Sequence, residues 1–77
     1  MRKMTMKFHS PGGVRELLAH TIQLTGDVHI VQEERMVNGK ALLGLLSLDH
    51  EKELTLVTDA PEDEWLRFMR DVSPLLT

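Results

Sequence analysis

The spacing of the apolar residues changes at a segment containing Pro and Gly, residues 10–13, and this change limits the folds open to the chain. Before it, Met4, Met6 and Phe8 alternate with polar residues, as on a strand with one buried face. After it, five positions follow the spacing of one face of an amphipathic helix: Val14, Leu17, Leu18, Thr21 and Ile22. Gly26 is expected to end this helix, because glycine readily takes the left-handed conformation found at helix C-termini.

The rest of the chain alternates further strands and helices. Residues 28–31, 35–37 and 54–57 predict three more strands, with a polar turn at residues 32–34 between the first two. Residues 41–46 predict one or two helical turns, because the segment is too short for a stable isolated helix. A last helix is expected to begin after Asp59 as its N-cap, with an inner face of Trp65, Phe68, Met69 and Val72. The order βαββαβα, with a hairpin in its middle, predicts an α+β fold with an antiparallel or mixed sheet covered by helices on one face.

Size and composition limit the classes of function. The chain has 77 residues, expected to form a single domain over residues 1–77, and no cysteine for a disulfide or a thiolate metal site. Its 12 acidic and 9 basic residues are interspersed and give a net charge of −3, which argues against nucleic acid as a partner. The longest apolar stretch, residues 41–48, is too short to cross a bilayer. We therefore expect a cytoplasmic protein that binds neither nucleic acid nor membrane.

A specific resemblance lies in residues 37–48, which are V-N-G-K-A-L-L-G-L-L-S-L. This run is similar to a segment of the HPr family, the small phosphocarrier of the bacterial sugar phosphotransferase system, and every position but Ala41 fits the family pattern. The flanking residues 25–30 and 54–64 agree, so the resemblance covers roughly residues 14–76. It implies an HPr-like open-faced β-sandwich, in which a four-stranded antiparallel sheet is covered on one face by three helices.

The resemblance also implies a phospho-acceptor site. In the family, a histidine in a G-[LIF]-H-A-R-P-A motif takes a phosphoryl group from phosphoenolpyruvate by way of Enzyme I and passes it to a sugar permease. A neutral histidine ring is a nucleophile near pH 7, which suits this role. The arginine of that motif and the amides of the helix that follows stabilise the added charge.

The alignment leaves two candidate acceptors in this chain. Without gaps, Ser10 stands at the histidine position, with Gly12 at the arginine position and Gly13 at the proline position. With one residue inserted in the first helix, His9 stands there and Pro11 occupies the arginine position. A serine hydroxyl is a weak nucleophile without a base, and His9 is expected on the opposite face of the strand from Ser10. The usual acceptor site is therefore predicted to be degenerate, and Ala41 also lacks the hydroxyl that a regulatory kinase phosphorylates in Gram-positive relatives.

The leucines of the short helix are the feature retained from the family. Leu42, Leu43 and Leu46 match the positions that contact protein partners, whereas Leu45 and Leu48 are expected in the core. One short helix cannot bury all five side chains, and exposed apolar clusters commonly mark interaction surfaces. A partner-binding or self-association surface is the resulting prediction.

Two further constellations are weaker. The four histidines, His9, His20, His29 and His50, lack the spacing of metal ligands, so neither metal nor other cofactor is expected. The amides of Gly12 and Gly13 precede a helix and are candidates for binding an anion, with a plain turn as the alternative.

The leading hypothesis is a non-enzymatic HPr-like regulatory module. It would bind Enzyme I, a permease domain or a transcriptional regulator through Leu42, Leu43 and Leu46. The alternative is an atypical phosphocarrier that accepts phosphate from Enzyme I on His9. A third hypothesis is self-association through the same leucines, which leaves a monomer or a weak homodimer open.

Overall fold

The computed structural model describes residues 1–10 and 12–77, and four strands and three helices make up its regular structure. The strands are β1 (Arg2–Met6), β2 (Val28–Gln32), β3 (Arg35–Asn38) and β4 (Leu54–Thr58). The helices are α1 (Gly12–Thr21), α2 (Leu42–Leu46) and α3 (Glu62–Val72), and a 3₁₀ turn at Ser73–Leu75 follows the last of them. The predicted α+β class and its order of elements are confirmed.

The four strands form one antiparallel sheet in the order β1-β4-β2-β3. One row across the sheet joins Met4, Leu56, Ile30 and Val37, and the next joins Lys3, Val57, His29 and Asn38. Successive strand residues point to opposite faces, so the first row faces the core and the second faces away from it. Apolar alternation in the sequence therefore corresponds to a sheet with one covered face.

All three helices contribute to the core on that face. Leu17 of α1, Leu45 of α2 and Val72 of α3 are fully buried in the same cluster as Ile30 and Leu56 of the sheet. The predicted inner face of α3 is confirmed as well, and its Trp65 and Phe68 rings stack with centroids 5.7 Å apart. Burying a side chain of this size contributes about 1.5–3 kcal/mol, so this cluster is the main source of stability.

The end of α1 differs from the sequence prediction. The helix ends at Thr21, because the amides of Gln23 and Leu24 bond to carbonyls three residues back and tighten the chain into turns. Ile22 is 59% exposed rather than buried, since it lies at the margin of a buried face centred on Leu17 and Thr21.

Asp59 and Gly26 meet at the entrance to β2 instead of marking helix ends. The N-cap position of α3 is Pro61, without a side-chain capping bond, whereas Asp59 Oδ1 accepts a hydrogen bond from the amide of Asp27 at 3.0 Å. Gly26 has φ +84°, and a Cβ added there would collide with the Asp59 carboxylate. Both residues therefore shape the connection between α1 and β2, and the capping prediction for Asp59 is wrong.

Gln32 ends β2 and is not part of the turn. It pairs with Arg35 across a two-residue turn of Glu33 and Glu34. It follows Val28 and Ile30 on the covered face, where its side chain is only 5% exposed. The prediction of a three-residue turn is wrong because Gln32, although polar, continues the inward and outward alternation of β2.

Candidate functional site

The segment that carries His9 is tied to the end of the chain. Phe8 forms an isolated antiparallel bridge with Leu76, and the amide of His9 donates to the carbonyl of Leu75 at 3.3 Å. The ring of His9 makes a third contact, between Nε2 and the carbonyl oxygen of Pro74, at 2.8 Å. Backbone and ring are thus both positioned by residues far away in sequence.

The contact with Pro74 assigns the protons of the neutral His9 ring. A carbonyl oxygen only accepts hydrogen bonds, so Nε2 must carry the proton and donate it. In the neutral ring, Nδ1 then keeps its lone pair and is the nucleophilic atom. His9 is exposed, so solvent and ligands can reach its ring.

An open cavity of about 280 Å³ lies beside this ring, lined by Lys7, Phe8, His9, Ser10, His50 and Glu51. His9 and Ser10 were expected on opposite faces of a strand, but both line the cavity. The reason is that β1 ends at Met6 and the chain bends at these two residues, so strand alternation no longer applies.

The loop that supplies His50 and Glu51 is held by Gln32. The side-chain amide of Gln32 donates to the carbonyl of Asp49 at 2.6 Å, and its oxygen accepts from the Asp49 amide at 2.8 Å. The same amide lies 3.4 Å from two further carbonyl oxygens of the loop, those of Lys52 and Glu53. Sequence reasoning did not select His50 or Glu51 for this site. The sequence signal that could have indicated a loop held against the sheet is Gln32, a polar residue at an inward position of β2.

Of the two glycines at the start of α1, Gly13 has a packing role. Its amide donates to the carbonyl of Ser10 at 3.1 Å, and a Cβ added to it would lie 2.5 Å from Cδ1 of Phe8. The amide is thus engaged within the turn, and the missing side chain lets α1 approach Phe8. Gly12 is exposed with open space around its Cα, and its role as an anion ligand stays a prediction. Pro11, the alternative occupant of the arginine position, lies outside the described residues.

The leucines of α2 divide as expected. Leu45 and Leu48 are buried, whereas Leu42, Leu43 and Leu46 are 40%, 82% and 50% exposed. We call these three exposed side chains the α2 leucine surface. Ala41 occupies the N-cap position of α2, without a side-chain capping bond, so the helix is held by its buried Leu45 and its backbone bonds.

A further exposed apolar side chain lies just beyond the end of α1. A small cleft between α1 and α3 is lined by His20, Glu64 and Arg67, which places the His20 side of α1 towards α3. Leu18 and Ile22 lie on the opposite flank, and α1 also contacts α2. Ile22 is 59% exposed.

No protein-family model matches the chain, and no curated protein matches it. Within residues 1–10 and 12–77, no three His, Asp or Glu side chains are grouped as metal ligands. Across the same residues, no helix has the length and apolar character needed to span a bilayer.

The polar residues of the segment 37–48 have local structural partners. Lys40 donates from Nζ to the carbonyls of Leu24 and Gly26, which joins the turn before α2 to the end of α1. Ser47 donates from Oγ to the carbonyl of Gly44 at 2.6 Å and accepts from Arg35 Nη2 at 2.8 Å. These contacts position α2 and leave its leucines as the groups available to a partner.

Proposed function

We propose that this chain is an HPr-like protein that docks a protein of the phosphotransferase system on the α2 leucine surface. The observation that carries the proposal is the exposure of Leu42, Leu43 and Leu46 on a helix whose other leucine is fully buried. The resemblance of residues 37–48 to the HPr pattern supports it, and the four-stranded antiparallel sheet with three helices is compatible with it.

Among possible occupants of this surface, we favour Enzyme I. The loop that follows α2 carries His50 to the cavity of His9, so the leucine surface leads directly to the candidate acceptor. A partner that delivers a phosphoryl group has to cover both regions at once. The apolar side chains would supply the buried centre of such an interface, and the cavity would lie at its edge.

Titration of the labelled protein with Enzyme I, followed by NMR, tests this docking. We expect chemical shift changes at α2 and at the flank of α1 that carries Ile22. Leu43→Asp should weaken binding by at least about tenfold, because it places a charge in a desolvated apolar contact. Leu66→Asp is the matched control, since Leu66 is 54% exposed but lies on α3. Equal effects of the two variants would contradict docking at α2.

A second copy of the chain is the competing occupant, and light scattering distinguishes it. A monomer at high concentration agrees with docking of a different protein. A dimer that Leu43→Asp dissociates would assign the surface to self-association and overturn the proposal.

A second candidate function, phosphoryl acceptance on His9, is favoured by the Nδ1 lone pair of a ring that lines the cavity. In this step the Nδ1 lone pair forms a bond to phosphorus while the bond from phosphorus to the donor breaks, and the donor keeps that electron pair. The proton on Nε2 stays in its bond to Pro74. The ring then carries a positive charge next to the phosphoryl group, which makes that group easy to transfer onwards.

Incubation with Enzyme I and phosphoenolpyruvate, with intact mass measured under neutral conditions, tests the carrier function. A carrier gains one phosphoryl group that brief acid treatment removes. His9→Ala should abolish this gain, and Ser10→Ala should retain it. No gain, alongside a normal HPr that is modified, would leave docking without phosphate transfer as the function.

A further inference from the structure

A second histidine shares the cavity of His9. His50 and Glu51 come from the loop after α2, and Lys7 and Ser10 complete the polar lining. His50 is only partly exposed, so its ring belongs to the wall and not to the open surface. The cavity that both residues line has a volume of about 280 Å³, which is ample room for a phosphoryl group.

Both histidine-bearing segments are fixed by buried or long-range contacts. The bonds to Pro74 and Leu75 hold His9, and the bonds from Gln32 hold the loop of His50. Groups held in this way keep their geometry when charge develops next to them, which is what a site for an anion requires.

The other charged side chains of the cavity wall supply no net positive charge for a phosphoryl group, and His50 is the residue that could supply it. A phosphoryl group brings about two negative charges. Among the described residues of the wall, Lys7 is the one permanent cation, and Glu51 balances it, so this pair adds no net positive charge. The arginine of the HPr motif is replaced here by Gly12 or Pro11. A protonated imidazole at His50 is the group that restores a net positive charge.

We propose that His50, as an imidazolium, donates a hydrogen bond to the phosphoryl oxygens on His9 and takes the place of the missing arginine. This inference rests on the proposed acceptance of phosphate by His9. A histidine donor differs from an arginine donor because an ordinary histidine loses its proton between pH 5 and 8. Arginine keeps its charge throughout that range, so His50→Arg should remove the pH dependence that a histidine donor brings.

Phosphoramidate, a small chemical donor, tests the site without Enzyme I. The Nδ1 lone pair of His9 attacks phosphorus, the P–N bond of the donor breaks, and ammonia leaves with the electron pair. The product keeps the Nε2 proton, so the positive charge that the donor nitrogen carried is now on the His9 ring. Intact mass follows the rate, and phosphorus NMR identifies the nitrogen that is modified.

Four proteins are compared across pH 5.5–8.5. His9 and the donor contribute the same pH effects in all four proteins, so rates are compared as ratios to His50→Ala at each pH. The wild type should be modified on His9 and should be faster than His50→Ala by at least about tenfold at pH 6, because a charged donor to the phosphoryl oxygens is lost in that variant. This advantage should shrink as the pH rises. His50→Arg should restore the advantage and keep it nearly constant with pH, which a purely structural role of His50 would not produce. His29→Gln, a change of an exposed histidine on the open face of the sheet, should behave like the wild type.

The role of His50 and the carrier function of His9 are refuted by different results. If the wild type is modified on His9 and His50→Ala reacts equally fast, the role of His50 is refuted while the carrier function stands. If the wild type gains no phosphoryl group on His9, the carrier function is refuted and the role of His50 with it. NMR spectra of each variant establish that it is folded before rates are compared.

Discussion

The side chain of Gln32 and the backbone of Asp49 form a reciprocal pair of hydrogen bonds. Gln32 Nε2 donates to the Asp49 carbonyl at 2.6 Å, and the Asp49 amide donates to Gln32 Oε1 at 2.8 Å. A side-chain amide carries its donor and its acceptor side by side, so it can bond at once to the C=O and the N–H of one residue. The end of β2 is thereby joined to the loop that brings His50 to the cavity of His9.

Replacing Gln32 by Ala should destabilise the protein and loosen that loop. The change removes two part-buried hydrogen bonds to Asp49, so we expect the free energy of unfolding to fall by about 1–3 kcal/mol in a urea titration. Gln23→Ala is the matched control, because Gln23 is exposed and its side chain bonds locally, to the carbonyl of Ala19 four residues back. Its effect should stay within about 0.5 kcal/mol. Faster amide exchange at residues 49–53 in Gln32→Ala alone would link the loop to this pair, and equal losses in both variants would contradict the link.

The turn between β2 and β3 contains a residue in an unfavourable conformation. Glu33 has φ +55°, at the first central position of a two-residue hairpin turn, where glycine is preferred. Glu33→Gly should therefore raise the free energy of unfolding by about 0.5–1 kcal/mol, because relief of the left-handed strain exceeds the added entropy of the unfolded chain. Glu34→Gly, at the next position, should lower it, since no positive φ is needed there.

An exposed ion pair makes the outcome at Glu33 depend on salt. Lys52 Nζ bonds to Glu33 Oε1 at 2.9 Å, and this hydrogen bond raises the pKa of Lys52 above its ordinary value of 10.5. A raised pKa means that the pair stabilises the fold below pH 10.5 and that this contribution is lost as the pH rises through the folded-state value. At pH 7, Glu33→Gly removes the pair, so its net gain should be larger in high salt, where the pair is screened. A gain that shrinks with salt would contradict this account.

The leucines of α2 provide a direct test of its orientation. Leu45→Ala should lower the free energy of unfolding by about 2–5 kcal/mol, because it removes a fully buried side chain from the core. Leu43→Ala, on the same helix, should change it by no more than about 0.5 kcal/mol, because most of that side chain is in water. Similar losses for the two variants would mean that α2 packs on a different face than described.

What the sequence predicted well depended on local periodicity. Alternation identified Met4 and Met6 as inward residues of β1, and helical spacing identified the inner face of α3, because both patterns are set by backbone geometry alone. The limited area that one short helix can bury predicted that some of its leucines are exposed, and the resemblance to the HPr pattern indicated which ones. These elements needed no knowledge of distant contacts.

What it missed depended on contacts between residues far apart in the chain. The bond from His9 to Pro74 and the bond from Gln32 to Asp49 join segments whose proximity no local pattern encodes. The presence of His50 on the cavity of His9 is a consequence of both. The candidate acceptor was therefore predictable as a residue, but the surroundings that determine its chemistry were not.

The two adjacent glycines at the start of α1 should respond in opposite ways to a methyl group. A Cβ on Gly13 would lie 2.5 Å from Phe8 Cδ1 and 3.0 Å from Phe8 Cβ, inside the contact that sets the position of the His9 segment. We expect Gly13→Ala to lower the free energy of unfolding by about 1–3 kcal/mol through overpacking. It should also shift the NMR signals of Phe8 and His9. A Cβ on Gly12 meets nothing within 4 Å, so Gly12→Ala should be neutral or stabilising by up to about 1 kcal/mol. If Gly13→Ala were as stable as Gly12→Ala and left the His9 signals unmoved, α1 would not be what holds Phe8 and His9 in place.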